Sequence, residues 1–214
     1  YKGLPVIGID KEAFANHAEI KTLKLPSTLI YIGKESFKGC SGITDLVIPD
    51  NVKSISEGAF YQCDGLKNVS FPVGLETIVK NAFNGCPFLT SIELPFTLTA
   101  LGAGAFANCT LLETVKISKN TIIMVNAFSA CSDSLKFITV EGNTRLPNYI
   151  ESNKLNAKIE YVKDLSLGTV KNIADNTYTG SAITPSVELT LTSGEKVELN
   201  KDYKVVYRNN TKPG

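Results

Sequence analysis

Apolar residues recur along the first two thirds of the chain with a fixed period of about 23 residues. The clearest marker is a phenylalanine after a small residue, with successive steps of 23, 23, 23, 23 and 22 residues: Phe14, Phe37, Phe60, Phe83, Phe106 and Phe128. Three residues after each of these comes a second column: His17, Cys40, Cys63, Cys86, Cys109 and Cys131. Prolines recur at the same interval, with Ser118 in the next equivalent place: Pro26, Pro49, Pro72 and Pro95. A fixed period of this length indicates a repeat architecture.

Each repeat reads approximately C-x-x-L-x-x-L-x-L-P-x-x-L-x-x-I-x-x-x-A-F-x-x-C. The L-x-L segment has a period of two, which predicts a strand with one face turned inward. The proline after it cannot donate a backbone hydrogen bond, so each strand is expected to end there. Because one repeat cannot bury its apolar face alone, successive repeats are expected to stack and to pair these strands in parallel. The pattern predicts a solenoid with a parallel β ladder of about six turns and the recurrent phenylalanines inside it.

The outward positions of these strands form two columns on the predicted solenoid surface. The first column contains Thr22, Asp45, Asn68, Ser91, Thr114 and Phe137. The second column contains Lys24, Val47, Ser70, Glu93, Lys116 and Thr139. Repeat proteins use such surfaces for extended protein contacts, so these residues are the candidate protein-binding positions. The alternative interpretation is a solvated sheet face without a partner, since Phe137 is the only aromatic side chain in either column.

The regularity changes at the downstream end of the repeats. The last step is 22 residues, and the gap from Cys131 to Leu135 is one residue longer than in earlier repeats. The sequence after these repeats predicts a short helix around 147–154 and a strand at 158–162. Terminal repeats are expected to be atypical because they must cover the end of the apolar interior.

From about Asp164 the phenylalanine and cysteine columns are absent, and Thr, Val, Tyr and Asn become frequent. Apolar and polar residues alternate at 187–191, 196–199 and 203–207, which predicts short strands, and Ser193-Gly194 predicts a hairpin turn between the first two. We therefore divide the chain into a solenoid with a C-terminal cap at 1–163 and a small all-β module at 164–214.

The composition of the chain argues against several classes of function. Of the 214 residues, 22 are basic and 21 acidic, so the net charge of +1 leaves no basic footprint for nucleic acid. No apolar run approaches the roughly 18–20 residues that cross a bilayer, so no membrane insertion is expected within this chain. The single histidine excludes a multi-histidine metal site.

The cysteine column invites three interpretations. Its members are one per turn and about 5 Å apart, with no C-x-x-C pair among them. Buried, reduced thiols that pack as small apolar side chains are the leading interpretation, and an adjacent disulfide or a metal site are the alternatives. His17 beside Cys40 could be a catalytic base or a ligand, or simply a polar residue that the end turn tolerates.

Paired carboxylates would indicate a polysaccharide hydrolase or lyase. Asp45 and Glu93 are the only acids in the outward columns, but they stand in different columns and roughly 10 Å apart. The chain contains no phosphate-binding loop, nucleophile elbow or H-E-x-x-H motif. No catalytic, cofactor-binding or metal-binding residue is predicted.

The phrases IGKESFKGC, SISEGAFYQC and LGAGAFANC resemble the leucine-rich repeats of the BspA-like family, which is found on bacterial and some protist cell surfaces. The resemblance covers about residues 4–141. Because YKGLPVIGI is similar to the family's usual opening phrase, few if any complete repeats are expected upstream.

The second segment resembles the small immunoglobulin-like modules that recur in bacterial surface proteins. The resemblance rests on YTGSAITPSV and LNKDYKVVYRNNTKPG, at these positions: Tyr178, Thr179, Gly180, Ile183, Pro185, Asp202, Tyr203, Tyr207, Asn209 and Asn210. Such modules usually contain about two more strands, so the natural protein is expected to continue past Gly214.

These resemblances imply a secreted or bacterial cell-surface protein with an adhesin-like role. The expected partner is an extracellular host protein or a protein of a neighbouring cell, bound by the exposed sheet face without catalysis. A structural stalk that presents another domain is the alternative, and a solenoid polysaccharide hydrolase or lyase is a third hypothesis.

Overall fold

The computed structural model describes residues 3–140 and 142–162, together with the backbone of three strands at 168–171, 188–191 and 196–197. The chain divides into two compact units, Tyr1–Tyr161 and Val162–Gly214, and each is described by itself.

The first unit is a solenoid in which most repeats contribute two short strands. The x-x-L-x-x-I segments form a parallel sheet in this order: β1 (Gly8–Ile9), β2 (Tyr31–Ile32), β4 (Ser54–Ile55), β6 (Thr77–Ile78), β8 (Ala100–Leu101) and β10 (Ile122–Ile123). This first sheet was not expected, because two-residue strands leave no alternation to detect.

The L-x-L segments form the strands that the sequence predicted. They are β3 (Asp45–Val47), β5 (Asn68–Ser70), β7 (Ser91–Glu93), β9 (Thr114–Lys116) and β11 (Lys136–Val140), and β12 (Lys158–Val162) joins them after the last repeat. β3 pairs with β5, and the other four strands form a second group in the order β12-β11-β9-β7. Pairing of successive repeats is parallel, as predicted, at three interfaces of this ladder.

The first repeat departs from the prediction. Its L-x-L segment around Leu23 is not a strand, so Thr22 and Lys24 are exposed beside the ladder instead of within it. β3 is therefore the first strand of this face of the solenoid.

The recurrent phenylalanines form one continuous stack through the interior, as predicted. Neighbouring rings are nearly parallel, at 2–8°, and their centroids lie 5.2–5.8 Å apart. The five rings from Phe37 to Phe128 are fully buried, whereas Phe14 at the end of the stack is 41% exposed. The stack fixes the rotation of each turn relative to the next.

The backbone turn around each stacked phenylalanine explains why glycine and asparagine recur two residues before and after it. Residues two before and two after every stacked phenylalanine have positive φ: Glu12, Asn16, Glu35, Gly39, Gly58, Gln62, Asn81, Gly85, Gly104, Asn108, Asn126 and Ala130. Glycine and asparagine tolerate this left-handed region best, and they fill eight of the twelve places. The turn lets the Phe83 N–H donate to the carbonyl of Ala105 in the next repeat, at 2.8 Å, and the other repeats do the same.

Helix α1 (Arg145–Ser152) caps the last turn by replacing the carbonyls that another repeat would supply. In the preceding turn, the Phe106 N–H donates to the carbonyl of Ala127. At the corresponding place, the Phe128 N–H donates to the Tyr149 hydroxyl at 3.1 Å. The Asn126 N–H likewise donates to Oδ1 of Asn153, at 2.8 Å. The sequence predicted this helix two residues late, and it predicted the strand at 158–162 with the observed bounds.

The second unit contains a three-stranded antiparallel sheet. Its strands are β13 (Gly168–Lys171), β14 (Glu188–Leu191) and β15 (Lys196–Val197), and β14 pairs with both of the others. The expected strands at 187–191 and 196–199 correspond to β14 and β15. The expected hairpin turn at Ser193-Gly194 and the expected strand at 203–207 lie outside the described residues.

Candidate protein-binding surface

Most residues of the two predicted columns lie on the outer face of β3, β5, β7 and β9 or beside it. Nine of them are exposed: Thr22, Lys24, Asp45, Val47, Asn68, Ser70, Ser91, Glu93 and Lys116. Thr114 is half-buried. The alternation of the L-x-L segments therefore identified the outer face correctly as far as β9.

Phe137 and Thr139 were placed on this outer face wrongly. Phe137 is fully buried, and Thr139 is 2% exposed with its hydroxyl accepting a hydrogen bond from the Asn143 amide at 3.0 Å. In the structure Lys136 pairs with Thr114, so the 22-residue step persists into β11. A one-residue slip exchanges the two faces of a strand, and the outward residues of β11 are Lys136 and Ile138.

The polar side chains of the outer face pair between successive turns. Asp45 accepts hydrogen bonds from the Thr44 hydroxyl at 2.6 Å and from the Asn68 amide at 2.7 Å. These two bonds lower the pKa of the Asp45 carboxyl from its usual value. Further along, Glu93 and Lys116 form an exposed ion pair at 3.1 Å. Such pairs contribute little stability, so their effect is to present an ordered polar surface.

Two exposed apolar pairs flank this polar face, and the column analysis missed them. Val73 and Phe96 follow β5 and β7, and they are 52% and 71% exposed. Phe88 and Leu111 precede β7 and β9, and about half of each side chain is exposed. Because the members of each pair are 23 residues apart, they occupy equivalent places in successive turns. Aligning whole repeats would have found them, since earlier turns carry Ser27 and Asp50, or glycine, at these positions.

The cysteine thiols form a hydrogen-bonded ladder inside the solenoid. Each Sγ donates to the carbonyl of the phenylalanine in the preceding turn, at 2.9–3.4 Å. Burial is confirmed for Cys40, Cys63, Cys86 and Cys109, whereas Cys131 is half-buried. Burial raises the pKa of the Cys63 thiol to about 12. The column is therefore built of neutral thiol donors that satisfy interior carbonyl groups.

We expect native cysteine labelling to follow this burial. With a thiol reagent near pH 8, Cys131 should react first and the four buried thiols should react only through unfolding, because reaction requires an accessible thiolate. The measurement is the number of labelled thiols against time, with guanidinium-unfolded protein as the reference for all five. Removing the faster thiol in a Cys131→Ala control should leave only slow labelling. Equal rates for all five native thiols would contradict the prediction.

The other candidate chemical groups are held in structural contacts. His17 is exposed, and its Nδ1 lies 2.6 Å from Oε1 of Glu19, whereas the Cys40 thiol donates to the Phe14 carbonyl. Within the described ranges, no three His, Cys, Asp or Glu side chains are placed to hold a metal ion. No helix in that part of the chain is long and apolar enough to cross a membrane.

The repeats match the family described as BspA type Leucine rich repeat region, in six copies over residues 7–136. This match covers more than half of the chain, which therefore belongs to the BspA-type leucine-rich repeat family. A comparison with curated proteins gave no match.

Solved structures of other leucine-rich proteins resemble the chain. A leucine-rich cell surface protein from Faecalibacterium prausnitzii A2-165 is 31% identical with a TM-score of 0.55, over 61% of this chain and 34% of that one. A leucine-rich repeat protein from Bacteroides ovatus ATCC 8483 is 28% identical with a TM-score of 0.45, over 63% of this chain and 47% of that one. The chain thus spans about a third and about half of these two proteins. The T. pallidum leucine-rich repeat protein is 23% identical with a TM-score of 0.55, over 77% and 83% of the two chains, and this likeness concerns the fold alone.

Proposed function

We propose that this protein is a non-catalytic, adhesin-like binding module whose outer face of β3, β5, β7 and β9 contacts a partner protein. The observation that carries the proposal is the two exposed apolar pairs, Val73 with Phe96 and Phe88 with Leu111, which come after and before the strands of this face. Binding energy at protein interfaces concentrates in a few large, mainly aromatic side chains surrounded by polar groups. Phe88 and Phe96 are large exposed aromatic side chains of this kind, and they lie just before and just after the polar residues of β7.

The chemistry of the acidic residues supports binding over catalysis. Asp45 is held by Thr44 and Asn68, and Glu93 is paired with Lys116. Glycoside hydrolysis requires two carboxyl groups that flank one bond, with one of them kept protonated. Asp45 has a lowered pKa, which is the opposite of what a general acid needs.

The proposed location is supported by one of the similar solved structures. The similar Faecalibacterium prausnitzii structure is described as a cell surface protein, which supports a secreted or bacterial cell-surface location. The proposed partner is an extracellular protein of a host or a neighbouring cell. We also propose that residues 164–214 belong to an immunoglobulin-like module acting as a spacer, which the antiparallel pairing of β13, β14 and β15 supports.

The test is a binding screen of the full chain against extracellular-matrix and cell-surface proteins. For a protein that binds, Phe96→Ala should weaken affinity at least about ten-fold, because truncating a large aromatic side chain at an interface removes more than about 1.4 kcal/mol of binding free energy. The matched control is Tyr31→Ala, an exposed aromatic residue on the first sheet, which should change affinity by less than about two-fold. Equal losses of affinity for Phe96→Ala and Tyr31→Ala would contradict binding by the outer face of β3, β5, β7 and β9. A screen without any partner would favour the stalk alternative.

A further inference from the structure

The first sheet of the solenoid ends at β10, and no strand among the described residues pairs with the outer edge of β10. The N–H groups of Ile122 and Met124 donate to the carbonyls of Thr99 and Leu101 in the preceding turn, at 2.8 and 2.9 Å. Successive residues of a strand alternate in direction, so the N–H and C=O of Ile123 face away from the sheet. No hydrogen bond between described residues reaches them. The second ladder, in contrast, continues beyond the last repeat into β12.

The side chains along this edge are unusually apolar for their position. Ile122, Met124 and Val125 are each about half exposed. In the central turns the position equivalent to Ile122 is Ser54, Thr77 or Ala100. Open strand edges are commonly protected by lysine, proline or an inward-pointing charge, because an apolar edge pairs readily with another chain. Residues 121–125 contain none of these.

A groove of about 580 Å³ runs between this edge and helix α1. The strand side is formed by Ile122, Ile123 and Val125, and the helix side is polar: Arg145, Asn148, Tyr149, Ser152 and Asn153. Arg145 donates to the carbonyl of Asn120 at 3.2 Å, just before the strand begins. No carboxylate among the described residues pairs with its guanidinium. This end of the groove therefore carries a positive charge without a partner of opposite sign in the described part of the chain.

We propose that the groove binds an extended peptide segment of a partner protein, which adds a strand to the β10 edge. Backbone bonds to Ile123 hold the peptide, its apolar side chains lie over Ile122 and Val125, and an acidic group lies beside Arg145. Strand addition at an open sheet edge is a general mode of peptide recognition. A whole turn of a second copy does not fit this end, because α1 already covers the apolar interior at Phe128. A single peptide strand needs only the backbone edge of β10 and not the apolar interior that α1 covers.

The test uses octapeptides of alternating valine and threonine with blocked ends and one aspartate at either terminus. Binding to the full chain is followed by the backbone amide resonances of 15N-labelled protein. We expect shifts at residues 120–125, and about five-fold weaker binding when the aspartate is replaced by lysine. Arg145→Gln should remove this preference for the acidic peptide. N-methylation of alternate peptide nitrogens should abolish binding, because the bonds to Ile123 require backbone donors.

Two surface variants distinguish strand addition at the β10 edge from nonspecific hydrophobic binding of the peptide. Ile122→Lys should abolish binding, whereas Ser54→Lys, in the same column but in the middle of the sheet, should leave it unchanged. Equal affinity for the acidic and basic peptides, shifts confined to other surfaces, or no shift at about 1 mM peptide would overturn the proposal. Concentration-dependent dimerisation that Ile122→Lys prevents, without peptide binding, would assign the edge to a second copy instead.

Discussion

Phe83→Ala is expected to lower the free energy of unfolding by about 3–5 kcal/mol, because it opens a cavity in the middle of the phenylalanine stack. The Phe83 ring is fully buried and lies 5.2 Å from the rings of both Phe60 and Phe106. Phe71 also contacts it edge-on, at 5.6 Å. Because each turn packs only on its neighbours, the surrounding rings cannot close the gap without shifting a whole repeat. Denaturant unfolding followed by circular dichroism measures the change.

Phe14→Ala provides the matched control for this prediction. Phe14 belongs to the same stack but contacts Phe37 on one face only, and 41% of it is exposed. Its truncation should lower the free energy of unfolding by less than about 1.5 kcal/mol, and Lys24→Ala should change it by less than about 0.5 kcal/mol. Similar losses for all three variants would show that the stack is not the main source of stability.

Tyr149→Phe is expected to lower the free energy of unfolding by about 1–3 kcal/mol while keeping the ring packing of the cap. The hydroxyl accepts the hydrogen bond of the Phe128 N–H, and its removal leaves that buried donor without an acceptor. Burial also raises the pKa of Tyr149 to about 12, which is consistent with a hydroxyl held inside the cap. The most direct measurement is hydrogen exchange of the Phe128 amide, which should become faster.

Tyr161→Phe is the control for the cap, because about half of the Tyr161 side chain is exposed. It should leave both the unfolding free energy and the Phe128 exchange rate close to those of the unchanged protein. If Tyr149→Phe behaved in the same way, the hydroxyl would not be standing in for the carbonyl of a further turn.

The period of the phenylalanines was sufficient to predict the interior of the solenoid. Six residues at nearly constant spacing can share one interior only if each period makes one turn, and the observed stack follows from that constraint. The same spacing could not show the first sheet, because strands such as Thr77–Ile78 have one inward residue each. Nor could it show that the cysteine thiols donate hydrogen bonds, since a column of small apolar side chains would have the same spacing.

In the last repeat, a one-residue difference in spacing makes the strand register unpredictable from the period alone. Taking Leu135 as the equivalent of Leu112 restores the 23-residue period and places Phe137 outside. The structure instead keeps the 22-residue step that separates Phe106 from Phe128. The burial of Phe137 against Phe128 favours this register, because the aromatic ring covers the end of the stack. The burial of Phe137 would therefore have predicted the register of β11 better than the 23-residue count from Leu112 to Leu135.

The candidate surface was only partly predictable for a different reason. Alternation within a strand identifies outward positions such as Asp45 and Ser91, and these are exposed as expected. Phe88 and Phe96 lie outside the strands, and they differ from the residues at equivalent places in earlier repeats. Features that vary from turn to turn carry the specificity of a repeat surface, whereas the shared period describes only its scaffold.

The direction of the backbone bonds between turns also determines how the protein responds to mechanical load. Bonds such as that from Phe83 to Ala105 run from one turn to the next, along the length of the solenoid. Tension applied along that direction pulls on one junction between turns at a time, so the molecule should lengthen in discrete steps. Each step frees 23 residues, or roughly 80 Å of extended chain. A solenoid that lengthens in this way would limit the peak force on the contact between its surface and a bound partner.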